Sequence, residues 1–184
     1  MPIVPHKFLN HQVSPDTEIL ILGTFNPDVP NGPTFFYGRP RNFLWQLLPG
    51  CWGLPSLRAS PLPAKHTFMA TYKIDFADII ASVNVPAGQQ GNVLDTYIDG
   101  LVHQWKDVIA LINTLPKLKA VYVTRKTFVG IPNIKVQILT IQNHCAQSNI
   151  RFCLLETPAR YTNANKQQQW MDTIINQNKC TIVV

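Results

Sequence analysis

One stretch of the chain concentrates residue types that can bind a ligand or assist a reaction. Residues 19–45 read ILILGTFNPDVPNGPTFFYGRPRNFLW, in which an apolar run ends abruptly at Gly23. Gly23 permits a tight exit from a strand, and Asn26 followed by Pro27 favours a turn that presents an amide side chain and backbone N–H groups. A simple connector would have the same residues. The turn matches neither the phosphate-binding loop nor the dinucleotide fingerprint.

Three consecutive aromatic residues, at positions 35–37, follow this turn. Because three neighbouring side chains must point in different directions, at least one can face the concave side of the loop, where a flat ring could stack on a base. Arg39 and Arg41 come next, on either side of Pro40, which suits the opening of a helix. The two arginines are either solvated residues of a capped amphipathic helix or cations that pair with phosphate beside a pocket.

Alternating strands and helices must position this stretch. Short apolar runs of branched residues at 17–23, 118–124 and 150–156 predict strands that are buried on both faces. A less clear segment in the middle predicts a short helix over 65–72 and a strand over 76–82. The order predicts an α/β protein, a three-layer α/β/α sandwich with a mostly parallel central sheet of about four strands. Further helices are predicted over residues 41–48, 101–115, 137–149 and 165–177.

The predicted sheet indicates where a site would lie. In an open α/β sheet, ligands bind outside the carboxyl ends of the strands, so the loops that follow the strands are the ones to inspect. A Pro-rich stretch at 57–66 is instead expected to be a surface loop, and residues 1–184 are expected to form a single domain. The loops expected at the carboxyl ends are residues 23–28, 83–92, 124–128 and 157–163.

Charge is the main compositional indication of a partner. Lysine and arginine outnumber the acidic residues 16 to 10, which gives a formal net charge of +6. This is the electrostatic character expected of a protein that binds a polyanion, although basic proteins without nucleic-acid partners are also common. Hydrophobic residues at 46% and charged residues at 14% fit a folded enzyme or binding module rather than a disordered segment.

Cysteine usage and the N-terminal residues bear on the cellular compartment. The N-terminal residues lack the long apolar core of a signal peptide, and no apolar run approaches the roughly 20 residues that span a bilayer. These features predict a cytoplasmic protein without a membrane partner. Because the four cysteines are few and scattered and no C-x-x-C pair is present, we expect buried, reduced thiols rather than a disulfide framework or an iron–sulfur cluster. The four cysteines are Cys51, Cys145, Cys153 and Cys180.

Several motifs together resemble the uracil-DNA glycosylase superfamily. Its members carry a strand, a G-x-x-P-type turn and an aromatic residue followed by HPRN-x-F-W, and this chain has ILILGTFNP and then FFYGRPRNFLW. The segment FADIIASVNVPAGQQGNVLD is similar to the W-D-V-x-A-S segment and later leucine–aspartate pair of the hypoxanthine-DNA glycosylase-like branch. LLETPARYTNA lies where that branch has P-S-x-S-P-A-N. The resemblance extends from about residue 19 to about residue 170 and is closest to that branch.

The resemblance implies an enzyme that flips a deaminated base, uracil or hypoxanthine, out of DNA and hydrolyses its N-glycosidic bond. It implies no cofactor and no metal, and we expect a monomer whose partner is DNA. Two residues are catalytic candidates: Asn26 to position water, and Asn42, which aligns with the asparagine of HPRN. The base-binding residues implied are Gly23, Thr24, Phe25, Pro27, Phe36 and Tyr37. The DNA-binding residues implied are Arg39, Arg41, Arg125, Thr157, Pro158, Arg160 and Tyr161.

The chain also departs from the family pattern. It has Gly-Thr-Phe-Asn-Pro where relatives have Gly-x-Asn-Pro, Arg39 replaces a histidine, and the last motif lacks the histidine with which many relatives stabilise the leaving base. A non-catalytic member of the same fold that binds a base in nucleic acid is therefore an alternative, and an enzyme of free nucleosides is a third. His103 and His144 fall on predicted helices and are interpreted as structural or solvated. A DNA partner predicts one face that carries Lys65, Lys73, Arg125, Lys126 and Arg160.

Overall fold

A computed structural model describes residues 1–30 and 32–184 of the chain, so that Asn31, part of the 19–45 stretch, lies outside the described residues. None of the helices within these ranges has both the length and the apolar character that crossing a bilayer requires. The strands are β1 (Ile3–Pro5), β2 (Ile19–Gly23), β3 (Ile74–Asp78), β4 (Ile80–Asn84), β5 (Val102–Trp105), β6 (Ala120–Val123) and β7 (Arg151–Leu154). The helices are α1 (Leu44–Gly50), α2 (Leu62–Tyr72), α3 (Asp95–Ile98), α4 (Val108–Asn113), α5 (Pro132–Gln147) and α6 (Ala164–Ile174).

The central sheet consists of four parallel strands in the order β3–β2–β6–β7. Leu22 of β2 lies opposite Ala77 of β3 on one side and Val123 of β6 on the other. All three side chains are buried, because the sheet is covered on both faces, and this is why β2 and β6 are continuous apolar runs. The mostly parallel sheet of about four strands predicted from the sequence is confirmed.

Helices pack on both faces of this sheet and complete three layers. On one face, α4 and α5 share an apolar cluster with Leu20 and Leu22 of β2. On the other face, α1, α2 and α6 share an apolar cluster with Ile21 of β2 and Phe76 of β3, and α1 contributes the buried ring of Trp45. The predicted α/β/α sandwich is therefore confirmed, and alternate residues of each central strand belong to opposite cores.

A second sheet, antiparallel and with the order β1–β4–β5, was not predicted. The strand predicted over 76–82 is in fact two strands, because the chain leaves the central sheet after Asp78 and β4 pairs with β1 and β5 instead. Residues 74–83 are all buried. Hydrophobic periodicity therefore does not reveal where the chain leaves the first sheet and enters the second.

The helix predicted over 101–115 is wrong in its first half, where β5 pairs with β4 and α4 begins only at Val108. A four-residue strand directly before a helix is too short to be separated from helical spacing. His103 consequently lies exposed on a strand rather than on a helix. The surface loop predicted over 57–66 is also shorter than expected, because α2 begins at Leu62 and has a proline in its first turn.

The prediction of reduced cysteines is wrong for one pair, because Cys153 of β7 forms a disulfide with Cys180. The two cysteines meet because the C-terminal residues return antiparallel to β7, where the Leu154 N–H donates to the Thr181 carbonyl at 2.7 Å. This pairing depends on the path of the chain and leaves no local spacing in the sequence. The other two cysteines are free and buried, as predicted, and burial raises the pKa of the Cys51 thiol to about 12.

Candidate functional site

The carboxyl ends of the central strands meet at one edge of the sheet, where they enclose a cavity of about 480 Å³. This is the edge where a ligand is expected in an open α/β sheet. The turn after β2, the end of β3 and the loops after β6 and β7 all contribute to the lining. Of the four loops predicted to share this edge, residues 83–92 contribute nothing, whereas residues 93–95, directly after them, do.

A buried carboxylate lies beside this cavity. Asp78, the last residue of β3, is only 2% exposed. Its Oδ2 accepts hydrogen bonds from Asn26 Nδ2 and from His6 Nε2, each at 2.6 Å. His6 Nδ1 in turn accepts from the Phe8 backbone N–H at 3.0 Å, so the imidazole proton lies on Nε2. Two donors from distant parts of the chain therefore hold one oxygen of this carboxylate.

The other oxygen of Asp78 lies against Gly23. A Cβ atom at Gly23 would lie less than 3.0 Å from both Asp78 Oδ1 and the Tyr37 hydroxyl, so glycine is needed for the close approach of these groups. Within residues 1–30 and 32–184, no group donates a hydrogen bond to Oδ1. Because Gly23 and Asp78 both line the cavity, this oxygen can accept a hydrogen bond or a proton from a ligand there.

A second carboxylate, Asp95 at the start of α3, ties three cavity loops together. It accepts a hydrogen bond from Thr24 Oγ1 at 3.3 Å and forms an ion pair with Arg125 Nη2. Burial raises the pKa of Asp95, and the neighbouring Arg125 charge opposes this effect. Arg125, which the resemblance assigned to DNA, is thus engaged with Asp95 at the cavity wall.

Tyr37 contributes a partly buried hydroxyl donor beside the cavity. Its backbone has a left-handed φ of 56°, and its hydroxyl lies 3.2 Å from Thr124 Oγ1. Because Thr124 Oγ1 donates to the Leu22 carbonyl at 3.3 Å, Tyr37 is the donor in the first of these contacts. Burial, with a smaller contribution from the Asp78 charge, raises the pKa of Tyr37 well above its usual value. The phenol therefore stays protonated beside the cavity.

A buried lysine holds the loop after β7. Lys166, near the start of α6, is 2% exposed, and its Nζ donates to the Thr157 and Tyr161 carbonyls, each at 2.9 Å. The same ammonium lies 3.7 Å from the centre of the Tyr161 ring. Arg160, between these contacts, has a left-handed φ of 76° and an exposed side chain, and it lines the cavity. Lys166 thus fixes the loop that presents Arg160.

The two candidate asparagines have different surroundings. Asn26 directs its amide N–H at Asp78, whereas Asn42 Oδ1 accepts a hydrogen bond from the Leu44 backbone N–H at 3.0 Å. The Asn42 side chain thereby satisfies a free donor in the first turn of α1. Both residues line the cavity, but only Asn26 contacts a carboxylate.

Positive charge gathers around the cavity. Arg39, Lys126 and Arg160 line it, and the Arg160 N–H donates to the carbonyl of the exposed Arg41 at 2.8 Å. Burial lowers the pKa of Arg39, and its Nη2 has no hydrogen-bond partner in the described part of the chain. A guanidinium with an unused N–H is a suitable donor to a phosphate or to an anionic leaving group.

Three of the five cations predicted to share one face line the cavity, and the other two do not. Lys73 precedes β3 at the amino edge of the sheet and pairs with Glu18 at 2.7 Å. Lys65 lies on α2, with its ammonium 5.5 Å from the centre of the Trp45 ring. Arg125, Lys126 and Arg160 therefore lie together at the cavity, whereas Lys73 lies at the opposite edge of the sheet.

Most residues assigned through the resemblance line the cavity, but a few do not. Phe36 is 1% exposed and stacks on Phe76 with 5.9 Å between ring centres, so it is a core residue and cannot stack on a ligand in the cavity. Pro27 is also buried, and Arg41 and Tyr161 are exposed outside the lining. The assigned residues that line the cavity are Gly23, Thr24, Phe25, Asn26, Tyr37, Arg39, Asn42, Arg125, Thr157, Pro158 and Arg160.

Sequence reasoning missed several polar residues of the site, among them Asp78, Asp95 and His6. Asp78 had a usable signal, since a carboxylate within a largely apolar stretch such as FADIIA is rarely buried without a partner or a function. Asp95 belongs to the leucine–aspartate pair of the resemblance but received no role there. His6 offered no local signal, because its contact with Asp78 depends on pairing across 72 residues of sequence.

Comparisons with known proteins identify a solved structure with a similar fold. No protein-family model matches the chain, and no curated protein matches it. Among solved structures, it is similar to the solution NMR structure of a putative uracil DNA glycosylase from Methanosarcina acetivorans, with a TM-score of 0.58 and 17% identity. The match covers 91% of this chain and 94% of that chain. At this identity the similarity shows a shared fold and does not single out the hypoxanthine branch.

Proposed function

We propose that this chain is a DNA glycosylase that hydrolyses the N-glycosidic bond of a deaminated base, uracil or hypoxanthine, flipped out of DNA. The observation that carries this proposal is the cavity at the strand ends, where a buried carboxylate and an amide adjoin a rim of cations. The fold shared with a putative uracil DNA glycosylase supports it. We further propose that residues 1–184 act as one domain and as a monomer, without a metal or other cofactor.

The lining offers the groups that this chemistry needs. Phe25 is an aromatic residue on the wall, and the Thr24 and Tyr37 hydroxyls are hydrogen-bonding groups for the edge of a base. Breaking the glycosidic bond leaves positive charge on the sugar and negative charge on the base. A carboxylate such as Asp78 stabilises the first, and the unused N–H of Arg39 can stabilise the second. Arg39 would then take over from the histidine that the last motif lacks.

The surroundings of the two asparagines predict unequal effects of their removal. Asn26→Ala should lower the rate of base release roughly tenfold, because one of two hydrogen bonds to the Asp78 carboxylate is lost. Asn42→Ala should instead lower the free energy of unfolding by about 1 kcal/mol, because the first turn of α1 loses its side-chain acceptor. Single-turnover rates and urea unfolding of both variants measure the difference. The reverse pattern would make Asn42 the catalytic amide.

The cationic rim predicts salt-sensitive binding to DNA. Arg160→Ala should weaken binding to all DNA sequences alike and should reduce the slope of log K against log salt by about 1, because one phosphate contact is lost. Fluorescence anisotropy at several salt concentrations measures this slope. Lys117→Ala is a suitable control, since Lys117 is exposed and pairs with Asp16 away from the cavity. An equal change in slope for both variants would contradict a binding face at the cavity.

One experiment tests the function directly. Purified protein in excess is incubated with single- and double-stranded oligonucleotides that carry uracil, hypoxanthine or xanthine, and abasic sites are then cleaved with alkali. Cleavage is expected for at least one base, and the preferred base decides whether the hypoxanthine branch is the right comparison. Salt-sensitive binding without any cleavage would favour the non-catalytic alternative. Activity on free nucleosides alone would favour a nucleoside hydrolase.

A further inference from the structure

We propose that Asp78, rather than either asparagine, is the general base that activates water in this reaction. In this proposal His6 and Asn26 position the Asp78 carboxylate. This inference rests on the proposed function and assigns its central chemical step. It concerns residues in three distant parts of the chain: the end of β1, the turn after β2 and the end of β3. The geometry that joins them carries the inference.

The carboxylate has one occupied oxygen and one available oxygen. Oδ2 accepts from both Asn26 and His6 at 2.6 Å, which fixes the rotation of the carboxylate. Oδ1 lies over Gly23, where no side chain intervenes, and receives no hydrogen bond from the described residues. An amide is not a useful base at neutral pH, whereas a carboxylate with a free lone pair is, so Asp78 is the better acceptor for a proton from water.

The N-terminal segment is built into this arrangement. The His6 backbone N–H donates to the Ala81 carbonyl at 2.8 Å, and the Lys7 N–H donates to the Asn26 carbonyl at 2.8 Å. The same segment therefore fixes both the imidazole and the turn that carries Asn26. With its Nδ1 occupied by the Phe8 N–H, His6 has a single way to bind the carboxylate, through Nε2–H. His6 acts as a positioning residue and touches no reacting atom.

The proposed step needs only water as a co-reactant. Asp78 Oδ1 takes a proton from a water molecule while the water oxygen forms a bond to C1′ of the deoxyribose. The C1′–N bond breaks, and its electron pair leaves with the base, which takes up a proton from solvent. Asp78 then releases its proton to solvent. The products are an abasic site and a free base, and the enzyme returns to its starting state.

The same strand offers a matched control. Asp75, near the amino end of β3, is 4% exposed and accepts a hydrogen bond from His11 Nε2 at 2.7 Å. The pair has the same composition as the His6–Asp78 pair and a similarly buried aspartate, although His11 is more exposed than His6, and Asp75 does not line the cavity. Its replacement therefore reports what the loss of a buried aspartate–histidine pair does to folding alone.

The Asp78→Asn variant tests whether Asp78 is the general base. The amide has the shape of the carboxylate, and its oxygen can still accept from Asn26 and His6, but it cannot take a proton from water. We expect a single-turnover rate of base release about 10²- to 10⁴-fold below that of the unchanged protein. Affinity for an oligonucleotide with an abasic site should change little, and Asp75→Asn should retain the rate. Loss of the rate in both variants to the same extent would overturn the proposal.

His6 is tested by a graded pair of variants. His6→Gln keeps an N–H donor toward Asp78 and should retain more of the rate than His6→Leu, with the difference in kcat and not in KM. Equal rates for the two variants would show that the donor is irrelevant to the chemistry. Failure of this inference is distinct from failure of the function: an active Asp78→Asn variant overturns the role of Asp78 alone, whereas an unchanged protein that releases no base overturns the proposed function as well.

Discussion

Replacing Gly23 with alanine is expected to slow base release by about 10²-fold, although the protein should still fold. The new Cβ would lie less than 3.0 Å from both Asp78 Oδ1 and the Tyr37 hydroxyl, which is closer than real Cβ atoms approach other groups. Asp78 cannot turn away freely, because its Oδ2 is held by two hydrogen bonds. The whole Asp78 carboxylate must therefore shift to make room for the new Cβ. A shift large enough to relieve that contact separates the carboxylate from the water and the sugar.

A second glycine supplies the control for this prediction. Gly100 has no atom within 4 Å of the position where its Cβ would lie, and neither Gly23 nor Gly100 has a positive φ. Gly100→Ala should therefore have a rate close to that of the unchanged protein. Single-turnover rates and thermal unfolding of both variants give the comparison. A fully active Gly23→Ala variant would mean that Asp78 does not act from its position over Gly23.

The fold was predictable where burial leaves a clear pattern. Strands β2, β6 and β7 are covered on both faces, so each is a short run of branched residues that ends at a loop. The same uniform burial hid the break between β3 and β4, since a run that is buried throughout has no period. The Cys153–Cys180 disulfide was also beyond reach, because it depends on the return of the C-terminal residues along β7.

The site was predictable in its location and less so in its chemistry. A general rule for open sheets placed it at the strand ends, and the cavity lies there. Phe36 was wrongly assigned to base binding. Three adjacent aromatic residues in a loop follow no helix or strand period, so the sequence does not show which of them lies in the core and which faces the cavity. Asn26 was predicted as a turn residue, but the role proposed for it depends on its hydrogen bond to Asp78, and the sequence analysis assigned Asp78 only to a strand. His6 could be connected to either of them only once the strand pairing was known.

Lys166→Met is expected to lower the free energy of unfolding by about 2 kcal/mol and to weaken binding to DNA. Methionine fits the buried stem and suits a helix, so packing is kept. What is lost is the ammonium, which donates to the Thr157 and Tyr161 carbonyls from a position that is 2% exposed. Burial lowers the pKa of Lys166, because removing the ammonium from water has a cost that the hydrogen bonds to the loop must offset.

The expected loss of affinity for DNA would show that Lys166 supports the binding site and does more than stabilise the fold. The Lys166 ammonium closes the loop around Arg160, so the guanidinium should become mobile when the ammonium is removed, and it should then bind phosphate less well. Lys179→Met is the control, because Lys179 is exposed and its pair with Asp172 at 3.1 Å involves no residue that lines the cavity. Urea unfolding and anisotropy with an abasic oligonucleotide measure both quantities. Loss of stability with unchanged affinity for the oligonucleotide would mean that the loop presents Arg160 without the hydrogen bonds from Lys166.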